Sequence, residues 1–196
     1  MPSSVKIIPK SSFTATPWKN GGGVTHEAIR VPATGDAFLF RVSVAHIDSS
    51  GPFSDFAGYR RTMVLLQGGG LTLRFGGGQS SVLQETGESV EFDGAVSTYC
   101  DLLGGPCVDL NFMVQKSAQA EARVVRLDHS LTLPSLPRTT LIFGIDAPLM
   151  LCGDSGEPVR LEPWDLAVMS GGARLSRIEP DDLSAPSLVF FATITH

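Results

Sequence analysis

Short runs of apolar and β-branched residues alternate with glycine and proline along the whole chain. The 21 glycines and 13 prolines break up the apolar runs, and no segment sustains the period of a helix. This pattern is typical of a sandwich or barrel of short strands. It allows one short helical turn near residues 51–56. It predicts strands over residues 5–8, 37–44, 62–66, 71–75, 89–92, 96–103, 108–114, 123–127, 140–145, 149–151, 166–169, 174–178 and 188–192.

The same order of signals occurs twice. Leu71 and Leu149 begin corresponding apolar strands about 78 positions apart. Glu88 and Asp165, offset by about 77 positions, each lead an apolar strand that ends at a glycine turn. Self-similarity at a fixed offset predicts a duplicated unit. The alternative is turn chemistry common to any β protein.

Each half therefore has a Gly-x-Leu-x-Leu-like strand followed by an acidic turn, an order that resembles the cupin barrel. The resemblance implies an all-β fold of two tandem cupin-like (RmlC-like jelly-roll) barrels packed as one compact bicupin unit. We expect residues 1–115 to form an N-terminal barrel with a ligand site. Residues 116–196 are expected to form a C-terminal barrel with a structural role, and both lengths are compatible with a small domain.

Composition and charge narrow the possible partners. The chain is 42% hydrophobic and 18% charged, with a net charge of -5 and dispersed Lys and Arg, which argues against a nucleic-acid partner. No apolar run is long enough for a signal peptide or a bilayer span, so we expect a cytoplasmic protein without a membrane partner. Cys100, Cys107 and Cys152 lack CxxC spacing, which indicates neither a disulfide framework nor a zinc site.

Metal chemistry of the usual cupin kind is not expected. Cupin enzymes hold a divalent metal with a His-x-His pair, a carboxylate and a further histidine. Where that pair belongs, this chain has Arg60 and Arg61, and arginine cannot be a ligand because it stays protonated. We therefore expect no metal and no cofactor. No two of the four histidines have the spacing of that pair: they are His26, His46, His129 and His196.

A glycine-rich segment carries the densest chemistry. Three successive glycines expose backbone N–H groups and permit positive φ, so the segment could form an anion-binding nest. The alternative is a tight turn over the barrel mouth, with the tryptophan as a core plug. The candidate residues here are Trp18, Lys19, Asn20, Gly21, Gly22 and Gly23, with Glu27 close behind.

Two strands alternate strictly and so have one polar and one apolar face. Arg41, Ser43 and Ala45 share a face of the first strand. Asp109, Asn111 and Met113 share a face of the second. If these faces look inward, they line a small-ligand site; if they look outward, they are ordinary solvated faces. The pattern leaves both orientations open.

The segment from residue 51 to residue 61 adds aromatic rings and two guanidinium groups. Because arginine forks favour carboxylates, an acidic ligand is the natural expectation. The alternative is that Phe53 and Phe56 anchor a loop while Arg60 and Arg61 meet water.

Five separated motifs together resemble the HutD/Ves family and occur in that family's order over about the first 115 residues. One departure is Ala57, where the family usually has proline, which makes the loop before Gly58 less rigid. The motifs are Pro17-Trp18-Lys19-Asn20-Gly21-Gly22-Gly23, Arg41-Val42-Ser43-x-Ala45, Gly51-Pro52-Phe53-Ser54-x-Phe56, Gly58-x-x-Arg61 and Gly105-Pro106-x-x-Asp109-x-Asn111-x-Met113.

The resemblance implies a role in bacterial histidine utilisation, where HutD-like proteins are thought to moderate pathway output. It implies binding of a small anionic metabolite, urocanate or a formylated or formiminated glutamate, and no established enzyme activity. It favours functional roles for Trp18, Asn20, Arg41, Arg61 and Asn111, and His26 would help to hold an anion.

Three hypotheses follow. In a binding module, the ligand carboxylate pairs with Arg61 or the glycine amides while Ser43, Asp109 and Asn111 contact its polar groups. In a metal-free enzyme, Glu27, His46 or Asp109 acts as general base. In a partner-binding regulator, an exposed β surface contacts a transcription factor or transporter. A homodimer is compatible with each hypothesis.

Overall fold

The structure is a computed structural model that describes residues 5–133, 139–153, 157–170 and 175–195. The regular secondary structure of these residues consists of strands and one 3₁₀ turn at Lys10–Ser12. No helix in this part of the chain is long and apolar enough to cross a membrane. The chain divides into two compact units, one from Phe13 to Ala118 and one that joins the chain up to Ser12 with the chain from Gln119 onward.

Nineteen strands account for the architecture of the described residues. In chain order they are β1 (Val5–Ile8), β2 (Thr14–Pro17), β3 (Gly23–Val31), β4 (Phe40–Ile47), β5 (Gly51–Pro52), β6 (Tyr59–Gly68), β7 (Leu71–Phe75), β8 (Ser80–Leu83), β9 (Ser89–Asp93), β10 (Thr98–Leu102), β11 (Cys107–Gln115), β12 (Gln119–Leu127), β13 (Leu131–Thr132), β14 (Thr139–Gly144), β15 (Leu149–Gly153), β16 (Val159–Leu161), β17 (Leu166–Met169), β18 (Leu175–Pro180) and β19 (Ser187–Thr195).

The Phe13–Ala118 unit is built from two antiparallel sheets. A six-stranded sheet has the order β2-β3-β4-β11-β6-β9, and a four-stranded sheet has the order β5-β10-β7-β8. Alternate residues of both sheets point inward and form one apolar core. Its buried members are Ile47, Met63, Leu65, Leu71, Leu73, Leu83, Phe92, Cys100 and Cys107.

The second unit repeats this plan. Its sheets have the orders β1-β17-β14-β19-β12 and β13-β18-β15-β16. The neighbours β11-β6-β9 of the first unit correspond to β19-β14-β17, and β10-β7-β8 correspond to β18-β15-β16. The predicted duplication is therefore present in the strand order, and the fold class of two tandem cupin-like jelly rolls is confirmed for the two units.

The repeat extends to the backbone of one turn. Gly87 has a φ of 92° and donates its N–H to the Leu65 carbonyl at 2.8 Å. Trp164, the corresponding residue in the second unit, has a φ of 71° and donates to the Gly144 carbonyl at 2.7 Å. Positive φ is natural for glycine and strained for a bulky residue. The turn geometry is thus the same in both units although the residue is not.

The first strand lies in the second unit. The sequence pattern places residues 5–8 in the barrel of residues 1–115, whereas β1 pairs with β17 in antiparallel register from Val5 opposite Met169 to Ile8 opposite Leu166. A strand pattern predicts that a segment pairs but carries no information on its partner, which here is distant in sequence.

Two further expectations differ from the structure. The helical turn expected near residues 51–56 was wrong: Gly51 and Pro52 form β5, which pairs with Cys100 and Tyr99 of β10. The long strand β3 was not predicted, because a bulge between Glu27 and Ile29 breaks its alternation. The short strands β2, β8, β13 and β16 were also missed.

Candidate functional site

A cavity of about 530 Å³ opens inside the Phe13–Ala118 unit. Its volume lies within the range of small-molecule sites. Backbone, polar, charged and aromatic groups all contribute to its wall. The described residues that line it are Thr16, Pro17, Trp18, Lys19, Asn20, Thr25, Glu27, Arg41, Ser43, Ala45, Pro52, Phe53, Ser54, Phe56, Arg61, Asp109, Asn111 and Met113.

Strand register explains why distant residues meet here. Asn111 of β11 lies opposite Ser43 of β4, which in turn lies opposite Glu27 of β3. Since side chains of directly opposite residues share a face of an antiparallel sheet, these three form one row across the wall. Asp109 and Met113 belong to neighbouring rows on the same face of β11.

The polar faces of β4 and β11 therefore look inward, which resolves the orientation that the sequence pattern left open. Ser43 and Asp109 are each 1% exposed and Asn111 is 6% exposed. A half-exposed sheet face would leave such residues in water. Their burial beside an internal cavity is the arrangement of a ligand site rather than of a solvated surface.

Arg61 is held among aromatic rings. It is 4% exposed, and its guanidinium carbon lies 5.3 Å, 5.4 Å and 4.9 Å from the ring centroids of Phe53, Phe56 and Phe92. Burial, with the nearby charge of Arg41, outweighs the attraction of Asp109 and lowers the pKa of Arg61 to about 10. Arg61 therefore keeps its charge at neutral pH in a poorly hydrated place.

Arg41 brings a second guanidinium to the cavity. It stacks over Phe38 and Phe56 at 5.5 Å and 5.0 Å and is half-buried. Burial lowers its pKa, although the nearby Glu27 acts in the opposite direction. Together with Lys19, the two arginines give the wall three cationic side chains against the carboxyl groups of Glu27 and Asp109.

Asp109 has the most perturbed carboxyl group of the wall. Burial raises its pKa to about 7, although Arg61 and Asn111 act to lower it. Burial therefore makes the Asp109 carboxyl easier to protonate than an ordinary aspartate. With three cationic side chains against two carboxyl groups, the cavity wall has an excess of positive groups although the chain as a whole is negative.

Unpaired polar atoms concentrate in this wall. The buried atoms without a hydrogen-bond partner include the Nε atoms of Arg41 and Arg61, the Oδ2 atom of Asp109 and the Oδ1 atom of Asn111. Buried polar groups in folded proteins are almost always paired. Four of these atoms belong to residues that line one cavity, so this wall has hydrogen-bonding capacity that the described residues do not use.

The glycine segment does not form the expected anion-binding nest, because its amides already have partners. The N–H of Gly21 donates to the Trp18 carbonyl at 3.0 Å, and that of Gly22 donates to Asn20 Oδ1 at 3.0 Å. Gly23 begins β3 and lies opposite Ile47. The three glycines are also absent from the described cavity wall, so this part of the site prediction is corrected to a structural turn.

The turn nevertheless positions cavity residues. Trp18 donates its indole N–H to Thr25 Oγ1 at 2.8 Å and packs edge-on against Phe53 with ring centroids 6.2 Å apart. Lys19 and Asn20 follow at the exposed rim. Trp18 is half-buried and also packs against the apolar core of this unit.

His26 and His46 do not reach the cavity. Each is adjacent in its strand to a residue of the cavity wall, so its side chain points to the opposite face of the sheet. Their rings contact each other there, with centroids 5.1 Å apart. The expectations that His26 helps to hold an anion and that His46 could act as a base in this site were therefore wrong.

The donor set does not fit a divalent metal. No histidine occurs among the described residues of the wall, and the two carboxyl groups lie with two guanidiniums that would repel a cation. In the described ranges, no group of three or more His, Cys, Asp or Glu is placed to share an ion.

Several residues of the wall were not predicted as site residues. Phe53 and Phe56 belong to the aromatic segment before Arg61, which the sequence analysis singled out without naming the two rings as site residues. Thr25 could be found from its position two residues before Glu27 in a strand, but only after β3 is recognised. Pro17, Pro52 and Ser54 belong to motifs that resemble the HutD/Ves family, but nothing in their own chemistry predicts a place in the wall.

Comparison with known proteins identifies the family. The HutD family model matches residues 10–183. The chain belongs to the HutD family. This HutD-family chain is 33% identical over 178 residues to an uncharacterized 21.2 kDa protein in the hutC 3′ region of Pseudomonas putida, covering 90% of this chain and 93% of that protein.

Solved structures agree over the whole length. A conserved protein of unknown function from Pseudomonas aeruginosa PAO1 has a TM-score of 0.88 at 29% identity, covering 99% of this chain and 100% of that one. HutD from Pseudomonas fluorescens SBW25, solved in a formate condition, has a TM-score of 0.80 at 28% identity over 98% and 100%. The oxalate decarboxylase of Lactobacillus farciminis shares the fold alone, with a TM-score of 0.68 at 7% identity over 98% and 86%.

Proposed function

We propose that this HutD-family protein binds a small carboxylate metabolite in the cavity of the Phe13–Ala118 unit, without a metal, and thereby regulates histidine utilisation. The observation that carries the proposal is the buried Arg61 guanidinium, which lines the cavity, contacts three phenyl rings and has an unpaired Nε.

A carboxylate is the hydrogen-bond partner that suits the unpaired Nε–H of Arg61. Arginine presents a planar fork that matches a carboxylate with two parallel hydrogen bonds. Phenyl rings attract the cation but accept no conventional hydrogen bond, so they leave its N–H groups to a ligand. Arg41, which contacts one of the same rings, adds a second positive charge.

The metabolite class follows from the family. The relative from Pseudomonas putida is described by its place in the hutC 3′ region, and HutD-like proteins are associated with histidine utilisation. Urocanate, N-formylglutamate and N-formiminoglutamate each combine a carboxylate with a planar nitrogen-containing group. All are small enough for a cavity of about 530 Å³.

The polar groups of the wall are better suited to binding a metabolite than to converting it. Nucleophilic catalysis needs a nucleophile in hydrogen-bond reach of a base, and the buried Ser43 has no histidine beside it in the described wall. A cavity that binds a pathway metabolite and does not consume it serves as a sensor.

A metal-free enzyme is the second candidate, and Asp109 is the observation that favours it. Its pKa of about 7 is in the range that suits a general acid or base at neutral pH. NMR of the purified protein with each metabolite separates the two functions. Multiple turnover that is lost in Asp109→Asn would establish the enzyme; unchanged metabolites would support the sensor.

Calorimetric titration tests the binding function. Wild type, Arg61→Met and Arg60→Met are titrated with urocanate, histidine, N-formylglutamate and N-formiminoglutamate. Arg60 is the matched control, because it is the next residue of β6 and pairs with Glu91 at 3.5 Å. We expect at least one metabolite to bind wild type and Arg60→Met equally, and Arg61→Met about 100-fold more weakly. Absence of binding to all four at millimolar concentration would overturn the proposal.

A further inference from the structure

The polar wall of the cavity separates into a cationic end and an acceptor end. Met113 of β11 lies opposite Arg41 on one side and Arg61 on the other. The two preceding inward positions of the same strand are Asn111 and Asp109. In the register of the sheet, therefore, the two arginines start at one end of the wall and the two acceptor side chains start at the next inward positions, although the Arg61 guanidinium is near enough to attract the Asp109 carboxyl.

The unpaired atoms follow the same division. At the cationic end the unpaired atoms are donors, the Nε atoms of Arg41 and Arg61. At the other end they are acceptors, Asp109 Oδ2 and Asn111 Oδ1. A carboxylate satisfies the donors but leaves the acceptors without a partner, so a carboxylate alone does not complement this cavity.

We propose that the cavity is specific for carboxylates that also carry an N–H donor on a planar group, bound by Asp109 and Asn111 while the arginines bind the carboxylate. This inference rests on the proposed carboxylate-binding function. Because the Arg61 guanidinium attracts the Asp109 carboxyl, one small molecule can reach both the arginines and the acceptor side chains. A conjugated imidazole acid and a formimino acid each carry a carboxylate and such an N–H group.

The acceptor end can reach the ligand through rotation of its terminal torsions, which exchanges the hydrogen bond between the Asn111 and Asp109 side chains for one to the ligand. The unpaired oxygens of Asp109 and Asn111 are shielded from solvent in this arrangement, although both side chains line the cavity. The terminal torsions of Asp and Asn have broad energy wells. A turn of the carboxyl or amide group about that bond presents its oxygen to a ligand.

Electrostatics favours an N–H group over a second carboxylate at this end. Burial raises the pKa of the Asp109 carboxyl to about 7, which means that the ionised form lacks sufficient stabilisation. An N–H donor, above all a cationic one, stabilises that ionised form. A second carboxylate or an ether oxygen at the same place meets an oxygen lone pair and is disfavoured.

Two ligands of matched shape test the inference in wild type. Urocanate and (E)-3-(2-furyl)acrylate share the acrylate carboxylate and a five-membered aromatic ring, but only urocanate has a ring N–H. We expect urocanate to bind at least about 30-fold more tightly by calorimetry, because a site with unpaired acceptors discriminates against an analogue that lacks the donor. Asn111→Leu, which retains shape and removes the acceptor, is expected to reduce the ratio to below about threefold while furylacrylate binding is kept.

The outcomes separate the two proposals. If wild type binds urocanate and furylacrylate equally and Arg61→Met binds neither, the inference about the N–H donor is wrong, whereas the proposed carboxylate site is supported. Binding of neither ligand, nor of the glutamate derivatives, would overturn both. The wild-type comparison does not depend on a variant, and retained furylacrylate binding shows that Asn111→Leu is folded.

Discussion

Arg41 and Arg61 lie opposite the same residue, Met113, on the two strands that flank β11. Both guanidiniums also pack on the Phe56 ring, at 5.0 Å and 5.4 Å from its centroid. The nearby charge of Arg41 acts to lower the pKa of Arg61, which is the sign of repulsion between the two cations. The unliganded protein therefore holds two like charges together, and an anion between them relieves the repulsion.

Arg61→Met is expected to stabilise the protein in the absence of ligand while weakening carboxylate binding about 100-fold. Methionine fills a similar volume among the phenyl rings and removes a buried cation that Arg41 repels, and Asp109, whose pKa burial already raises to about 7, can take up a proton once the cation is gone. We expect the free energy of unfolding to rise by about 1–2 kcal/mol in urea titration without ligand. Arg60→Met, which breaks the solvent-accessible pair with Glu91, is expected to change it by less than about 0.5 kcal/mol. A destabilised Arg61→Met would contradict the account of a site strained for function.

Phe56→Leu is expected to weaken carboxylate binding by about tenfold without unfolding the protein. The leucine removes the ring that orients both arginines, and a cation–π contact at a desolvated site contributes about 1–2 kcal/mol. Calorimetry with the metabolite that binds wild type measures the loss. Phe75→Leu is the control, since its ring packs on Phe92 with centroids 5.2 Å apart. Equal losses in both variants would indicate a general effect on packing.

Asp109 is expected to make stability fall as pH rises. The pKa of an unfolded aspartate is about 3.9, whereas that of Asp109 in the fold is about 7. Between these values the folded state binds the extra proton, so this group stabilises the fold fully below about pH 4 and loses that contribution as pH approaches and passes 7. Arg61 stays charged and the Cys100 thiol, whose pKa burial raises to about 12, stays neutral in this window.

Asp109→Asn should remove that pH dependence. Urea unfolding at pH 5 and pH 8 is expected to show a smaller decrease for the variant, with the wild type losing an additional amount of up to about 2.6 kcal/mol. The same slope in both proteins would show that Asp109 is ionised in the fold at acid pH and would contradict its assignment as a buried, easily protonated group.

Gly23→Ala is expected to destabilise the protein by about 3 kcal/mol or more. A Cβ atom at Gly23 would lie 2.2 Å from the His46 carbonyl oxygen, which belongs to the backbone and cannot move aside. Gly51→Ala is the matched control, because nothing lies within 4 Å of its added Cβ. Thermal unfolding of the two variants checks the contrast; a mild effect at Gly23 would show that β3 and β4 separate easily.

The sequence pattern captured the fold and much of the wall because both depend on strand alternation. Arg41 and Ser43, like Asp109 and Asn111, share a face because they are two residues apart. Alternation could not decide whether that face is inward, since either face of an amphipathic strand can be the buried one. The inward face is decided by the opposite sheet, whose strands pack over the face that carries Arg41, Ser43, Asp109 and Asn111.

Other features depended on contacts between distant residues. The N–H groups of Gly21 and Gly22 are paired within their own turn, and glycine spacing does not distinguish such a turn from an anion-binding nest. Glu27 reaches the wall in a strand whose bulge hides its period. The packing of Phe56 on two arginines from different strands has no counterpart in any local pattern.

NMR of the arginine Nε–H groups reports whether a ligand carboxylate pairs with Arg41 and Arg61. Protein labelled with ¹⁵N-arginine is titrated with urocanate, N-formylglutamate and N-formiminoglutamate, and the signals are assigned with Arg41→Met, Arg60→Met and Arg61→Met. We expect the Nε–H signals of Arg41 and Arg61, whose Nε atoms are unpaired, to shift and saturate with one of these ligands while that of Arg60 stays in place. A ligand that binds without moving the Arg61 signal, or the absence of any shift at millimolar concentration, would contradict the account.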